Sequence, residues 1–335
     1  MAAEATQSVP PETPTARRSR RPASVYGLVG RYGVLAALVI TFVVFCLLRP
    51  ETFPTGDNLK TLLAQMAPVA IVAFGLTVVL VMGDFDLSIV GIIGLSSAVI
   101  VSLMSKSDVA WPLALIIGVL LAIAMGVLNG GLIAGIGASS FIITLAAGQV
   151  FSGVELEITG GQTIFDNIPT AFLNIATTNI LGLSSAVWIM VAVFVIIYLL
   201  LNLTQLGRYM YAIGGNQEAA RLSGISVKRI RTLGFIITAL CSMVAAVILS
   251  SRAGAYSNEI GTSFFLPTYA AVFLGAAVLK PGTFNLGGTL IGALFLEVIS
   301  NGLTLMSLSN AVVLIVQGAI LAGAVLLATL QRRAA

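Results

Sequence analysis

Apolar residues in this chain come in long unbroken runs, unlike the alternation of a half-buried strand or the narrow stripe of a surface helix. The runs predict spans at 33–48, 62–82, 87–104, 112–134, 140–157, 184–203, 233–250, 265–279, 286–305 and 311–330. Most reach the roughly 18 residues that a helix needs to cross hydrocarbon. Because lipid offers backbone N–H and C=O groups no partner, such runs fold as helices or as a closed barrel. Barrel strands would be alternating segments of about 10 residues, whereas these runs are continuous in Leu, Ala, Val, Ile and Gly. The expected fold is an all-α polytopic membrane bundle of about ten transmembrane helices.

Polar stretches set the organisation. Residues 1–24, rich in Pro, Thr, Ser, Ala and Arg, read as a disordered basic tail. Residues 25–335 read as a single transmembrane domain. The first apolar run ends in Leu47-Leu48-Arg49-Pro50 without a small-residue cleavage site, so it reads as a retained span. Two connectors stand out by length, a neutral to acidic one at 158–183 and a basic one at 204–232. Asn129-Gly130 closes the fourth span, with Gln149 downstream, and Asn301-Gly302 closes the ninth, with Gln317 downstream. Those two spans run in opposite directions, which predicts inverted repeats over spans 2–5 and 7–10.

Composition agrees with the pattern. Only 9% of the 335 residues are charged and 58% are hydrophobic, against about 25% charged in a soluble domain. The net charge of +4 resides at span ends and in the tail, where it directs topology and does not form a nucleic-acid surface. With the N-terminus cytoplasmic, 13 basic residues fall inside and 4 outside, the latter being Arg49, Lys60, Lys106 and Arg252. Cys46 and Cys241 lie within apolar runs and read as packing residues. The chain has no histidine, and neither a metal nor a cofactor is expected.

Few residues remain to carry chemistry. In Gly83-Asp84-Phe85-Asp86-Leu87-Ser88, two carboxylates adjoin apolar spans, where a charge costs about 2.5–3.5 kcal/mol at mid-bilayer. They read as an ion, substrate or proton site; alternatively, Asp86 and Ser88 cap the third span. Asp84 has no such capping account. Glu297, inside the ninth span, reads as structural, pore-lining or a proton carrier, and no basic residue lies in the spans adjoining it in sequence. Asn129, Gln149, Asn301 and Gln317 are candidate pathway residues or interhelical hydrogen-bonding groups. In the basic connector, Asn216 is a good N-cap, Glu218 falls in a first turn, Arg221 in a last turn, and Gly224 suits a C′ position. This predicts a short capped helix over 216–225, either an ordinary connector or a docking knob for a soluble partner. No G-x-x-x-x-G-K-[ST] phosphate cradle and no H-E-x-x-H or G-x-S-x-G motif occurs.

Over roughly residues 61–330 the chain resembles the permease subunit of bacterial ABC importers for monosaccharides, the ribose/xylose/arabinose type. The resemblance rests first on Gly207-Arg208-Tyr209-Met210-Tyr211-Ala212-Ile213-Gly214-Gly215-Asn216 followed by Glu218-Ala219-Ala220-Arg221-Leu222-Ser223-Gly224-Ile225. Asp86-Leu87-Ser88, Asn129-Gly130, Phe141-Ile142-Ile143-Thr144-Leu145, Thr159-Gly160-Gly161-Gln162, Gly288-Thr289-Leu290-Ile291-Gly292-Ala293 and Asn301-Gly302-Leu303 add to it. It implies a homodimeric inner-membrane permease working by alternating access. It also implies cytoplasmic ATP-binding subunits, an extracytoplasmic solute-binding protein, and a role for 216–225 as the coupling helix to the ATPase. The chain departs from the family at Asp84-Phe85, where a Gly and an apolar residue are usual, and at Lys280-Pro281-Gly282-Thr283-Phe284. The family overlaps in fold with branched-chain amino-acid permeases. Outside it, the alternatives are an ion-coupled secondary transporter using Asp84, Asp86 and Glu297, and a membrane receptor or scaffold.

The basic asymmetry predicts that both termini are cytoplasmic. In a cysteine-free background, single cysteines placed within 1–24 or 331–335 should escape a membrane-impermeant maleimide in intact cells and react after permeabilisation. Labelling of either end in intact cells would overturn this topology.

Overall fold

A computed structural model describes residues 25–334 except 259, 280 and 281, so the tail at 1–24 lies outside the described residues. The helices are α1 (Val25–Leu48), α2 (Gly56–Val81), α3 (Ile89–Ser107), α4 (Trp111–Ile136), α5 (Ser140–Thr159), α6 (Thr170–Thr177) and α7 (Ser185–Leu203). They continue as α8 (Gln205–Gly215), α9 (Gln217–Leu222), α10 (Val227–Ala253), α11 (Phe265–Gly275), α12 (Leu286–Leu305) and α13 (Asn310–Ala334). A two-residue hairpin, β1 (Asn179–Ile180) with β2 (Leu183–Ser184), sits before α7. The protein is an all-α, multi-pass membrane bundle. Among the described residues, seven helices, α2, α3, α4, α5, α7, α10 and α12, are long and apolar enough to cross a membrane. Three shorter apolar stretches, Gly33–Leu48, Thr262–Gly275 and Asn310–Ala324, coincide with the first, eighth and tenth runs in the sequence.

The centre of the bundle is α2 against α10. From Met66 to Val81 almost every residue of α2 is buried, Pro68 included. Around this axis α10 packs on α4 and α3, while α2 packs on α12 and α11. Outside them, α3 meets α4 and α5, and α11 meets α12 and α13. By contrast α4, α5 and α7 expose large apolar side chains such as Leu120, Ile142 and Ile196. That is the surface a lipid solvent accepts without cost.

With no hydrophobic gain to be had between helices in lipid, close packing and polar contacts hold them. Thr77 and Thr289 hydroxyls join α2 to α12 at 2.8 Å, Ser97 and Ser250 join α3 to α10 at 2.6 Å, and Thr238 of α10 donates to the Gly75 carbonyl of α2 at 2.9 Å. Backbones approach closely where α4 crosses α10. A Cβ on Gly126 would lie 2.6 Å from the Ile236 Cα, and one on Gly130 would lie 2.5 Å from the Thr232 Cα. The spacing Gly126-x-x-x-Gly130 is the small-residue seam that permits such a crossing.

Two boundaries differ from the sequence expectation. α10 begins at Val227 and ends at Ala253, so Lys228, Arg229, Arg231 and Arg252, assigned to loops by their charge, lie on the helix. The connector at 204–232 is mostly helical, because α8 presents Gly207, Met210 and Ile213 to the core at helical spacing. The 158–183 segment is likewise ordered. Ile164 exchanges backbone hydrogen bonds with Tyr256 at 3.0 and 2.8 Å, and the Tyr256 hydroxyl donates to the buried Glu155 carboxylate at 2.8 Å.

Replacing Gly130 or Gly126 by Val forces α4 from α10 and should destabilise the fold by about 1–3 kcal/mol. Gly131, where a Cβ meets nothing within 4 Å, is the control, and Gly131→Val should melt in detergent as the unmodified protein does. Equal melting temperatures for all three variants would refute the crossing.

Candidate functional site

The polar chemistry of the bundle gathers on the linker between α2 and α3. α2 stops at Met82, and Gly83 turns the chain at φ +83. The linker then runs inward, with Asp84 5% exposed and Asp86 and Ser88 fully buried. Its backbone is held by α5: Phe85 N–H donates to Ser140 Oγ at 3.1 Å, and Leu87 N–H to Thr144 Oγ1 at 3.0 Å.

Asp86 Oδ1 accepts from the Ser88 backbone N–H at 3.0 Å and from the Ser88 hydroxyl. That hydroxyl in turn accepts from the Asn129 amide of α4 at 2.8 Å. The remaining polar atoms, Asp86 Oδ2 and Asn129 Oδ1, are buried without a protein partner, and Tyr269 of α11 lies within electrostatic range of Asp86. The expected capping of α3 by these side chains does not form. Ser88 occupies the N-cap position in a helical conformation, φ −74 and ψ −9, and makes no side-chain cap bond. Its hydroxyl is taken by Asp86 and Asn129, and Asp86 closes a local two-residue turn instead.

Asp84 points elsewhere. Its carboxylate accepts from Arg231 Nε at 2.7 Å and from Arg231 Nη2 at 2.6 Å, a two-pronged pair with both residues buried. Arg231 was legible in the sequence only as a topology charge. One signal was available: Val227, Ile230, Arg231, Gly234, Phe235 and Thr238 follow the buried stripe of α10 at helical spacing.

Four other candidates make no hydrogen bond to this linker among the described residues. Asn301 of α12 exchanges amide hydrogen bonds with Asn58 in the first turn of α2, at 3.0 and 3.1 Å, so it joins two helices. Gln317 is buried on α13, and Gln149 is exposed on α5. Glu297 of α12 is within electrostatic range of Arg252 in the last turn of α10. A basic group absent from its sequence neighbours thus comes within range of it from a helix distant in sequence.

The α8–α9–α10 elbow lies against the same linker. Asn216 Oδ1 accepts from Ala219 N–H at 3.0 Å at the start of α9. At its end Gly224 N–H donates to the Arg221 carbonyl and Ile225 N–H to the Ala220 carbonyl, with Gly224 at φ +82. Glu218 and Arg221 pair at 2.8 Å on the surface, which adds little stability. Ala220 is buried, whereas Leu222 is 79% exposed, an apolar tip on an otherwise polar turn. Between the linker, α8 and the α11–α12 connection lies a cavity of 390 Å³ lined in part by Phe85, Tyr211, Phe273 and Phe284. Tyr211 donates to the Phe284 carbonyl at 3.3 Å, and burial raises the pKa of its phenol, keeping it a neutral donor.

The Asp86 turn needs an acceptor, not a charge. Asp86→Asn should therefore keep the folded yield, while Asp86→Leu strands the Ser88 N–H and should cost about 1–3 kcal/mol. Monodisperse yield in detergent reads this, and equal loss in both variants would mean that the carboxylate charge itself is required.

Comparison with known proteins sets this geometry in a family. The family model described as "Branched-chain amino acid transport system / permease component" matches residues 58–325. The ribose import permease protein RbsC of Bacillus subtilis is 36% identical over 302 residues, covering 90% of this chain and 93% of that protein. Its counterpart in Haemophilus influenzae is 33% identical over 295 residues, covering 87% and 90%. The L-arabinose transport system permease protein AraH of Escherichia coli is 32% identical over 299 residues, covering 88% and 89%. No solved structure matches the chain. Since the match takes in the buried linker, the α9 elbow and every helix packed around them, the chain belongs to the branched-chain amino acid transport system permease-component family.

Proposed function

We propose that this chain is the membrane permease subunit of an ATP-binding-cassette importer, and that it carries a monosaccharide into the cytoplasm by alternating access. The observation that carries the reading is α9. A six-residue helix stapled at both ends, with an exposed leucine at its tip, has the form of a rigid knob for a soluble subunit. The sugar assignment follows from the ribose, allose and arabinose permeases to which the chain is similar over most of its length. On this reading Asn216, Glu218, Ala219, Ala220, Arg221, Leu222, Ser223, Gly224 and Ile225 form the coupling helix to cytoplasmic ATP-binding subunits. A solute-binding protein delivers the sugar at the opposite face. Both termini are cytoplasmic, and the spans number ten.

The pairing of helices supports inverted repeats. Matching α2–α5 with α10–α13 in order maps the α3–α5, α3–α4 and α10–α4 contacts onto α11–α13, α11–α12 and α2–α12. The solute path runs past Asp86, Asn129 and the exposed Gln149 of α5, closed by a second copy of the chain. Asn301 and Gln317 contribute at its margin. The ion-coupled alternative is disfavoured, because Asp84 is paired with Arg231. The relatives named for sugars likewise argue against branched-chain amino acids as cargo.

Gly224→Val places a branched residue in the left-handed region at a cost of about 1–2 kcal/mol, and Glu218→Arg removes the surface pair and opposes the helix dipole. The double variant should insert and fold normally, yet lose co-purification with the ATP-binding subunits and lose sugar uptake. Unchanged association and uptake would reduce α9 to a connector.

A further inference from the structure

The elbow that presents α9 meets the end of α2 and the α2–α3 linker at three points, and one differs in kind from the other two. α8 meets the end of α2 at Gly214, where a Cβ would collide with the Val81 carbonyl oxygen. α10 meets it at Gly234, where a Cβ would collide with the Met82 methyl. Both are packed contacts, held by dispersion attraction that carries no directional bond. The third is the Asp84–Arg231 pair, with two parallel charge-assisted hydrogen bonds at 2.7 and 2.6 Å. A forked pair of this kind holds orientation as well as distance, and resists separation as well as approach.

The partners are placed for transmission. Arg231 is six residues beyond Ile225, on the first turns of the helix into which the α9 turn leads directly. Asp84 is two residues from Asp86, whose carboxylate organises the Ser88–Asn129 hydrogen bonds. The pair is therefore the one polar tie between the elbow and the linker among the hydrogen bonds of the described residues that join them. A stabilising role alone accounts poorly for it, since apolar side chains of similar volume fill such a site at least as favourably as a desolvated ion pair.

We propose that Asp84 and Arg231 are positioning residues that carry movement of α9 to the α2–α3 linker, and so return the linker with the elbow on the reverse stroke as well as driving it on the forward one. This rests on the reading of α9 as the helix that engages the ATP-binding subunits. Neither residue touches the solute in this scheme. The cavity beside the linker gives access to a reporter, because Phe85 lines it.

The test uses the assembled permease with its cognate ATP-binding subunits in nanodiscs, in a background lacking Cys46 and Cys241, with Phe85→Cys as reporter. Maleimide labelling of Cys at this position is timed in nucleotide-free and vanadate-trapped complexes. With Asp84 and Arg231 intact, the two labelling rates should differ by about tenfold, within the usual range of coupling between sites. Asp84→Leu with Arg231→Met leaves no unpaired charge behind. It should keep co-purification and ATP hydrolysis while the two rates converge. Asp84→Glu, which retains the forked pair, should restore the difference, and a packing role would not be rescued in that way. If the leucine–methionine variant does not accumulate, Asp84→Asn with Arg231→Gln is read identically. A full rate difference in the uncharged variants overturns the proposal, as does loss of their co-purification, which would make the pair a docking determinant. Failure of the permease with intact Asp84 and Arg231 to co-purify with the ATP-binding subunits would instead overturn the α9 reading, and this inference with it.

Discussion

Hydrocarbon supplies no hydrogen-bond partners, and that single constraint shapes nearly every polar contact in this bundle. Backbone groups are met by the helices themselves, but side chains must find each other across helices. Hydroxyls of Thr77 and Thr238 do so by bonding back to their own helix and across to a neighbour. The amides of Asn58 and Asn301 each donate one hydrogen bond to the other, and Asn58 gives its second to the Phe53 carbonyl. One buried charge is met by charge, Asp84 by Arg231, whereas the buried carboxylates of Asp86 and Glu155 are met by hydroxyls. The structure concentrates its polar cost on a few seams and exposes large apolar side chains on α4, α5 and α7.

The α2–α3 linker is the place where those seams converge. It receives α5 through Ser140 and Thr144, α4 through Asn129, and α10 through Arg231. A non-helical segment at this depth is tolerable because protein surrounds it on all these sides. The elbow of α8, α9 and α10 lies directly against it, so the part of the chain with the form of a docking knob and the part with unpartnered buried polar atoms are mechanical neighbours.

The runs of apolar residues announced a helical membrane bundle because burial in lipid requires continuous apolar length, a property of the chain alone. The local turn at α9 was legible for the same reason. Asn216 as N-cap and Gly224 at positive φ are decided within a few residues of backbone. The helix α8 was not, since its amphipathic pattern of Gly207, Met210 and Ile213 includes a glycine whose meaning depends on a close neighbour.

Pairings across the fold were beyond the sequence. Arg231 counted as one more basic residue near a span end, and only the placement of α10 beside the α2–α3 linker turns it onto Asp84, 147 positions away. Glu297 lacked a partner among its sequence neighbours until α10, extended to Ala253, brought Arg252 near it. The sequence named no partner for the polar candidates; the structure draws Asp86 and Asn129 to one serine, gives Asn301 to Asn58 and leaves Gln149 at the surface. Sequence determined that the chain is a multi-pass helical membrane bundle and how the α9 turn is capped, because hydropathy and local backbone geometry act over short range. Tertiary structure alone decided which charge meets which, because electrostatic pairing in a low-dielectric interior depends on contacts between helices and on no feature of spacing along the chain.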